Sequence, residues 1–284
     1  MKKLASIAGS ILVCSVLCGC IDSATVMTVN PDGSGTIVET MYMSAAFEQM
    51  MQGMAAGMGG GAPAESPLKH NLDPEQYKKR VPEMGEGVTF DSVKEVKKAD
   101  GSKGTEAKFL FKDVTKLHLS TEAKGPENES TPQQQPAKKA STVTFGFTKG
   151  ATPTLVINMP KPKAEQQAPG ADGVPARDTG KTMSEEEMAQ MQQMFDGFRF
   201  RMQVKVAGAI TKSNATYTEA GPDGKKQVIT LLDMDIGKIM KDEAARKKFF
   251  AMGKIDDVDT ARAKLKDMPG LKMETVEKIE VSFK

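Results

Sequence analysis

The chain has 284 residues, with 39 Lys and Arg against 37 Asp and Glu, 39% hydrophobic residues, 5% aromatics, 20 Met and no Trp. That length holds one large domain or two small ones, and the apolar content lies below the globular average but above that of a fully disordered chain. So even a charge balance excludes a general nucleic-acid binder, and no apolar run reaches the roughly 20 residues that a bilayer-spanning helix needs.

Lys2 and Lys3 open the chain, a largely apolar stretch runs from Leu4 to Leu17, and Cys18-Gly19-Cys20 follows. A basic start, a short apolar core and a small residue before a cleavage point read as a secretory signal peptide over residues 1–19. Leu17-Cys18-Gly19-Cys20 resembles the bacterial lipobox, whose final Cys becomes the first mature residue and carries diacylglycerol and an N-acyl chain. Cys20 is therefore the expected lipidation site. Cys14 and Cys18 follow the bulky Val13 and Leu17 and suit cleavage less well. Removing residues 1–19 takes away two bases and no acid, so the mature region 20–284 is formally neutral. With all three Cys at or before position 20, no internal disulfide remains to support the mature fold. Ile21 after Cys20 resembles the outer-membrane address of the enterobacterial sorting pattern. The expected location is the cell envelope, lipid-anchored at the outer membrane and facing the periplasm.

Strand-like segments follow in hairpin pairs. Ala24–Asn30 and Thr36–Met43 flank Asp32-Gly33; Val88–Val96 and Glu106–Lys112 flank Asp100-Gly101; Asn214–Glu219 and Lys226–Leu232 flank Asp223-Gly224. Asp-Gly between apolar runs is a hairpin signal. The longest alternation sets Phe198, Phe200, Met202, Val204 and Val206 against Arg199, Arg201, Gln203 and Lys205, which period two places on opposite faces. Shorter alternations cover 143–147, 155–159 and 279–283. Helices are expected where caps precede amphipathic runs: Ser44 before Ala45–Met58, Asp73 before Pro74–Val81, Ser184 before a helix ending at Phe195, a long helix from Asp235 to Met252, and a short one over Asp259–Lys266. Three Pro/Gly-rich stretches, 57–67, 124–140 and 161–181, read as flexible loops. Hairpins with helices between them predict an α+β domain: a mainly antiparallel, curved sheet with a few helices packed on it and its other face wet.

The chemical motifs are few. Gly180-Lys181-Thr182 lacks the glycine a phosphate loop needs at position 175, which is Pro. Aligning Asn30 with the start of a calcium loop puts Met41 where a bidentate Glu is required, so that segment reads as a turn. His70 and His118 are the only His, and neither HExxH nor GxSxG occurs. No metal site, cofactor or catalytic residue is therefore assigned. The methionines are the remaining signal: Met50, Met54 and Met58 share a helical face, as do Met188, Met191 and Met194. Thioethers suit Cu(I), core packing, or an adaptable lining for a lipid or partner groove. No His or Cys anchors them as ligands, which favours the apolar uses. The basic row Arg199, Arg201 and Lys205 reads as a solvated strand face rather than an anionic site.

Two segments carry a resemblance. The first is Val26-Met27-Thr28-Val29-Asn30-Pro31-Asp32-Gly33-Ser34-Gly35; the second runs from Phe200 through Gly208 to Ile210 and on to Ser213-Asn214-Ala215. Together with the lipobox they resemble the LppM-type family of bacterial lipoproteins, whose members share an early strand with a DGSG-like turn and a late strand–Gly–Asn–strand unit. Ala207 stands where the family usually has Pro, and the Trp frequent in the following strand is absent. The resemblance implies a sheet domain with an apolar cavity for lipids or glycolipids. The resulting expectation is a non-enzymatic envelope lipoprotein that binds an apolar or amphipathic, lipid-like ligand through a Met-rich surface. The competing expectation is an anchored structural or interaction module that docks another envelope protein.

Overall fold

The computed structural model describes residues 21–45, 47–49, 53, 71–120, 142–160, 184–221, 223–251, 265 and 267–284. The signal peptide, Cys20, the three Pro/Gly-rich stretches, most of the Met-rich run after Ser44 and all of 259–266 except Leu265 lie outside them.

The alternating segments become two sheets. The larger has eight strands: β1 (Ile21–Val29), β2 (Gly35–Met43), β3 (Val88–Lys97), β4 (Lys103–Phe111), β8 (Arg199–Val206), β10 (Thr218–Ala220), β11 (Lys226–Asp235) and β12 (Leu271–Met273). Its order is β10-β11-β8-β1-β2-β4-β3, with β12 also on β11. The smaller runs β5 (His118–Ser120), β6 (Thr142–Thr148), β7 (Thr154–Asn158), β13 (Lys278–Phe283), β9 (Ile210–Ser213). Every pairing is antiparallel except β1 with β8, which lie parallel with Asp22 opposite Arg199 and Val29 opposite Val206. The architecture is α+β and mainly antiparallel, and neither sheet closes on itself.

Period two explains how the sheets meet. On β1, Met27 and Val29 point inward; Ile37 on β2, Phe109 and Phe111 on β4, and Val204 and Val206 on β8 share that face by register. They pack against Leu155, Ile157, Ile279, Val281 and Phe283 of the smaller sheet as one fully buried core. At about 25 cal/mol per Å2 of apolar area, this layer holds the fold without a disulfide.

The hairpin between β1 and β2 turns as its residues require. Gly33 has φ +85°, and Asp32 Oδ1 accepts the Ser34 backbone N–H at 2.9 Å and its hydroxyl at 2.6 Å. The later motif residues hold the last strand. A Cβ on Gly208 would lie 2.3 Å from the Lys284 carbonyl, so only glycine lets the C-terminal strand approach there. Asn214 Oδ1 accepts Glu280 N–H at 2.7 Å, and its Nδ2 donates to Lys278 O at 3.0 Å.

The helices begin at their caps. Asp73 accepts Glu75 N–H at 3.0 Å and starts α1 (Pro74–Met84). Ser184 and Glu187 exchange side-chain-to-backbone bonds at the start of α2 (Glu185–Phe195). Ser44 Oγ accepts Phe47 N–H at 3.1 Å, so the cap after β2 forms as expected.

Three expectations need correction. The long helix from Asp235 is two, α3 (Ile236–Lys241) and α4 (Glu243–Ala251), because Asp242 is extended and its carboxylate caps a new helix at Ala245 N–H, 2.8 Å. The strand expected over Asn214–Glu219 is interrupted: Asn214 turns to β13, Ala215 N–H bonds the Ser213 hydroxyl and Thr216 N–H bonds Glu274. Only Thr218–Ala220 pairs with β11. The expected single sheet is a pair of sheets.

Candidate ligand-binding trough

Among the described residues, the covering elements lie on the inward face of the large sheet. The smaller sheet takes the half holding Val29, Val206 and Phe111. Over the other half, α1 packs on β3 and β4, with Tyr77 stacked on Phe90 at 5.9 Å and tilted on Phe109 at 6.2 Å. Helices α2 to α4 gather a second core of Ile236, Ile239, Met240, Ala245 and Met268, with Met191, Phe195, Phe198 and Met234 against it. Between them the inward face of the central strands is only half covered: Ile21, Ser23 and Thr25 of β1, Met41 of β2 and Phe200 of β8. This partly covered strip along β1 is the candidate trough.

One wall is aromatic. Phe200 meets Phe198 edge-on at 4.9 Å, and Phe198 meets Phe195 at 6.0 Å. The other wall is polar. Glu39, inward-facing on β2, pairs with Arg80 of α1 through two 3.0 Å contacts. Tyr77 OH donates to Asn71 O at 2.8 Å and lies 3.5 Å from Thr105 Oγ1. Burial, with the Glu39 charge adding to it, pushes the Tyr77 phenol above its ordinary value against the opposing pull of Thr105 and Arg80. Asn71 Nδ2 and Arg80 Nε are buried with no hydrogen-bond partner among the described residues. A buried donor left unpaired costs about 1–3 kcal/mol.

The outer face of the same sheet is charged but compensated. Arg199 grips Asp233 with two 2.7 Å bonds, which raises its pKa further. Arg201 Nη2 contacts both Asp22 oxygens at 3.0 and 3.1 Å, and Lys98 joins the same carboxylate while lying 4.4 Å over the Tyr42 ring. Burial opposes ionisation of Asp22, but the Lys98 hydrogen bond and the Arg201 and Lys98 charges outweigh it and hold the carboxyl below its usual range. Arg199 and Arg201 thus meet acids from neighbouring strands.

The sequence-assigned methionines separate. Met191 packs on the second core and Met188 is half-buried on α2. The Met194 side chain and all of Met50, Met54 and Met58 lie outside the described residues, as does His70. Met27, Met43, Met84, Met202, Met240 and Met268 are buried, as core fillers. His118 is exposed on β5. Among the described residues no group of three or more His, Cys, Asp or Glu is placed to hold a metal ion, and no helix is long and apolar enough to cross a membrane. Sequence reasoning missed Thr25, Glu39, Met41, Tyr77 and Arg80, because these trough residues converge only across strands and a helix far apart in the chain. Phe200 was placed on the apolar face of its strand, and that was the one signal available.

No family model, curated protein or solved structure matches the chain.

Proposed function

We propose that this chain is a lipid-anchored envelope protein, without enzymatic activity, that binds an amphipathic ligand of lipid type in the trough along β1. The observation that carries the reading is the half-covered inward face of the central strands. A sheet normally packs that face against its helices, and here a strip of Ile21, Met41 and Phe200 with Ser23 and Thr25 lies only partly covered between two separate cores. Ligand sites combine an apolar lining with a few placed polar groups. Phe200, Met41 and Ile21 suit an acyl chain, and the Glu39–Arg80 pair, with Glu39 opposite Thr25 in register, gives it a polar end. The LppM-type resemblance of the early turn and the late Gly–Asn unit supports the same ligand class. Lipidation at Cys20, export by residues 1–19 and an outer-membrane location complete the proposal and rest on the sequence pattern.

The soluble region 21–284, purified from a bacterial envelope without detergent, is expected to carry an added mass in native mass spectrometry that leaves as lipid on denaturation. Thr25→Phe, which fills the floor, is expected to lose that mass while keeping the wild-type circular dichroism spectrum. A clean mass for the wild type after incubation with envelope lipid extract removes the ligand reading and leaves the docking module in its place.

A further inference from the structure

Ile21, the residue after Cys20, is already the first residue of β1 and pairs with Met43. Asp22 lies in register with Tyr42 on one side and Arg199 on the other, and its carboxylate is clamped by Lys98 and Arg201. A strand fixed on both sides cannot swing. One extended residue advances only about 3.4 Å, so no tether separates a lipid on Cys20 from the sheet. The strand directions gather the starts of β1, β4 and β8 and the ends of β2, β3 and β11 at this end. The trough floor, Ile21, Ser23 and Thr25, descends from the same end.

We infer that the anchored domain stands with this end of the large sheet directly against the bilayer, so that the trough opens on the leaflet and draws an acyl chain of a bilayer phospholipid from it. This rests on lipidation of Cys20 and on the lipid-binding reading above. The β3–β4 turn at Lys103 then lies at the head groups. The opposite end of β4, next to Lys112, stands about 30 Å away, at nine residues of about 3.4 Å each. Pairing of Arg199, Arg201 and Lys98 with acids leaves the outer face without a strong basic patch to turn it toward the membrane.

The test uses the mature lipidated protein in phosphatidylethanolamine–phosphatidylglycerol vesicles that carry a head-group quencher. Cys20 is blocked by its lipid, so Lys103→Cys and Lys112→Cys each offer one free thiol for a fluorophore, and both positions are exposed. Strong quenching at 103 with little at 112 is expected. A 16-residue Gly/Ser insert between Cys20 and Ile21, spanning about 22 Å on average, is expected to erase that contrast and to cut phospholipid uptake from the vesicles several-fold. Uptake of a dispersed short-chain phospholipid by soluble 21–284 should not change with the insert. Equal quenching at the two positions, or unaltered uptake from vesicles with the insert, overturns the inference. Failure of soluble 21–284 to take up any phospholipid sinks the ligand reading instead, and the 103/112 contrast still decides the orientation.

Discussion

Asp22 is the residue whose replacement tests the structure most sharply. Its carboxylate is 16% exposed and accepts from Lys98 Nζ and from Arg201 Nη2, two partners that are themselves two-thirds covered. Asp22→Asn keeps the shape and removes the charge. An exposed pair would lose less than about 1 kcal/mol, and a fully buried one about 3–5 kcal/mol. Arg201 Nε is already unpartnered, and the variant strands its charge in a half-buried place. The expected loss is therefore intermediate, about 2 kcal/mol at pH 7, read from urea unfolding of region 21–284. The pH dependence fixes the cause. The folded carboxyl titrates below its unfolded value of about 3.9, so its stabilisation is complete above that value and vanishes as pH falls through the folded pKa. The gap between wild type and variant should stay constant from pH 7 to about 5 and narrow as pH falls below the unfolded value. A gap under about 0.5 kcal/mol at pH 7, or one that does not narrow as pH falls below the unfolded value, would refute the clamp. A double-mutant cycle with Arg201→Gln should return a coupling above about 1 kcal/mol.

Asn214→Ala removes two bonds to the backbone of β13 and should cost about 1–2 kcal/mol, with faster hydrogen exchange at the Glu280 amide as its local signature; an unchanged amide there contradicts the pinning role. Gly35→Ala places a Cβ 1.9 Å from Thr28 O and 2.5 Å from the Phe111 ring, so the variant should lose more than about 3 kcal/mol or fail to accumulate, as Tm and soluble yield will report. Cys20→Ser should move the protein from the membrane to the soluble fraction, since its expected acyl chains are the anchor; continued sedimentation with membranes defeats that assignment.

Much of the fold was legible because period two and cap chemistry are local. Phe198 to Val206, the Asp32-Gly33 turn and the Asp73 and Ser184 caps lie where their own neighbours require. What escaped was non-local. Nothing near Val26 announces that it lies parallel to Gln203, 177 positions later, and β5, β9 and β12 are too short to show alternation. Asp242 hid a helix start inside an unbroken amphipathic run, because a capping carboxylate and a solvent-facing one look alike in a string. The Arg199–Arg201–Lys205 row reads as a plain solvated face for the same reason: Asp22 and Asp233, which answer Arg201 and Arg199, come from other strands. The trough is the extreme case, assembled from β1, β2, β8 and α1.

The places of the first and last strands have a kinetic consequence. β1 is interior to the large sheet and waits for β8, nearly 180 residues downstream, while β13 is interior to the small sheet and pairs with β7 and β9, which come much earlier in the chain. The large sheet is not complete until β12 has joined it, nor the small sheet until β13 has. Folding dominated by such long loop closures is slow, and a nascent chain missing its last ten residues lacks Ile279, Val281 and Phe283 from the shared core. The core shared by the two layers is therefore complete only once residues 279–283 have joined it.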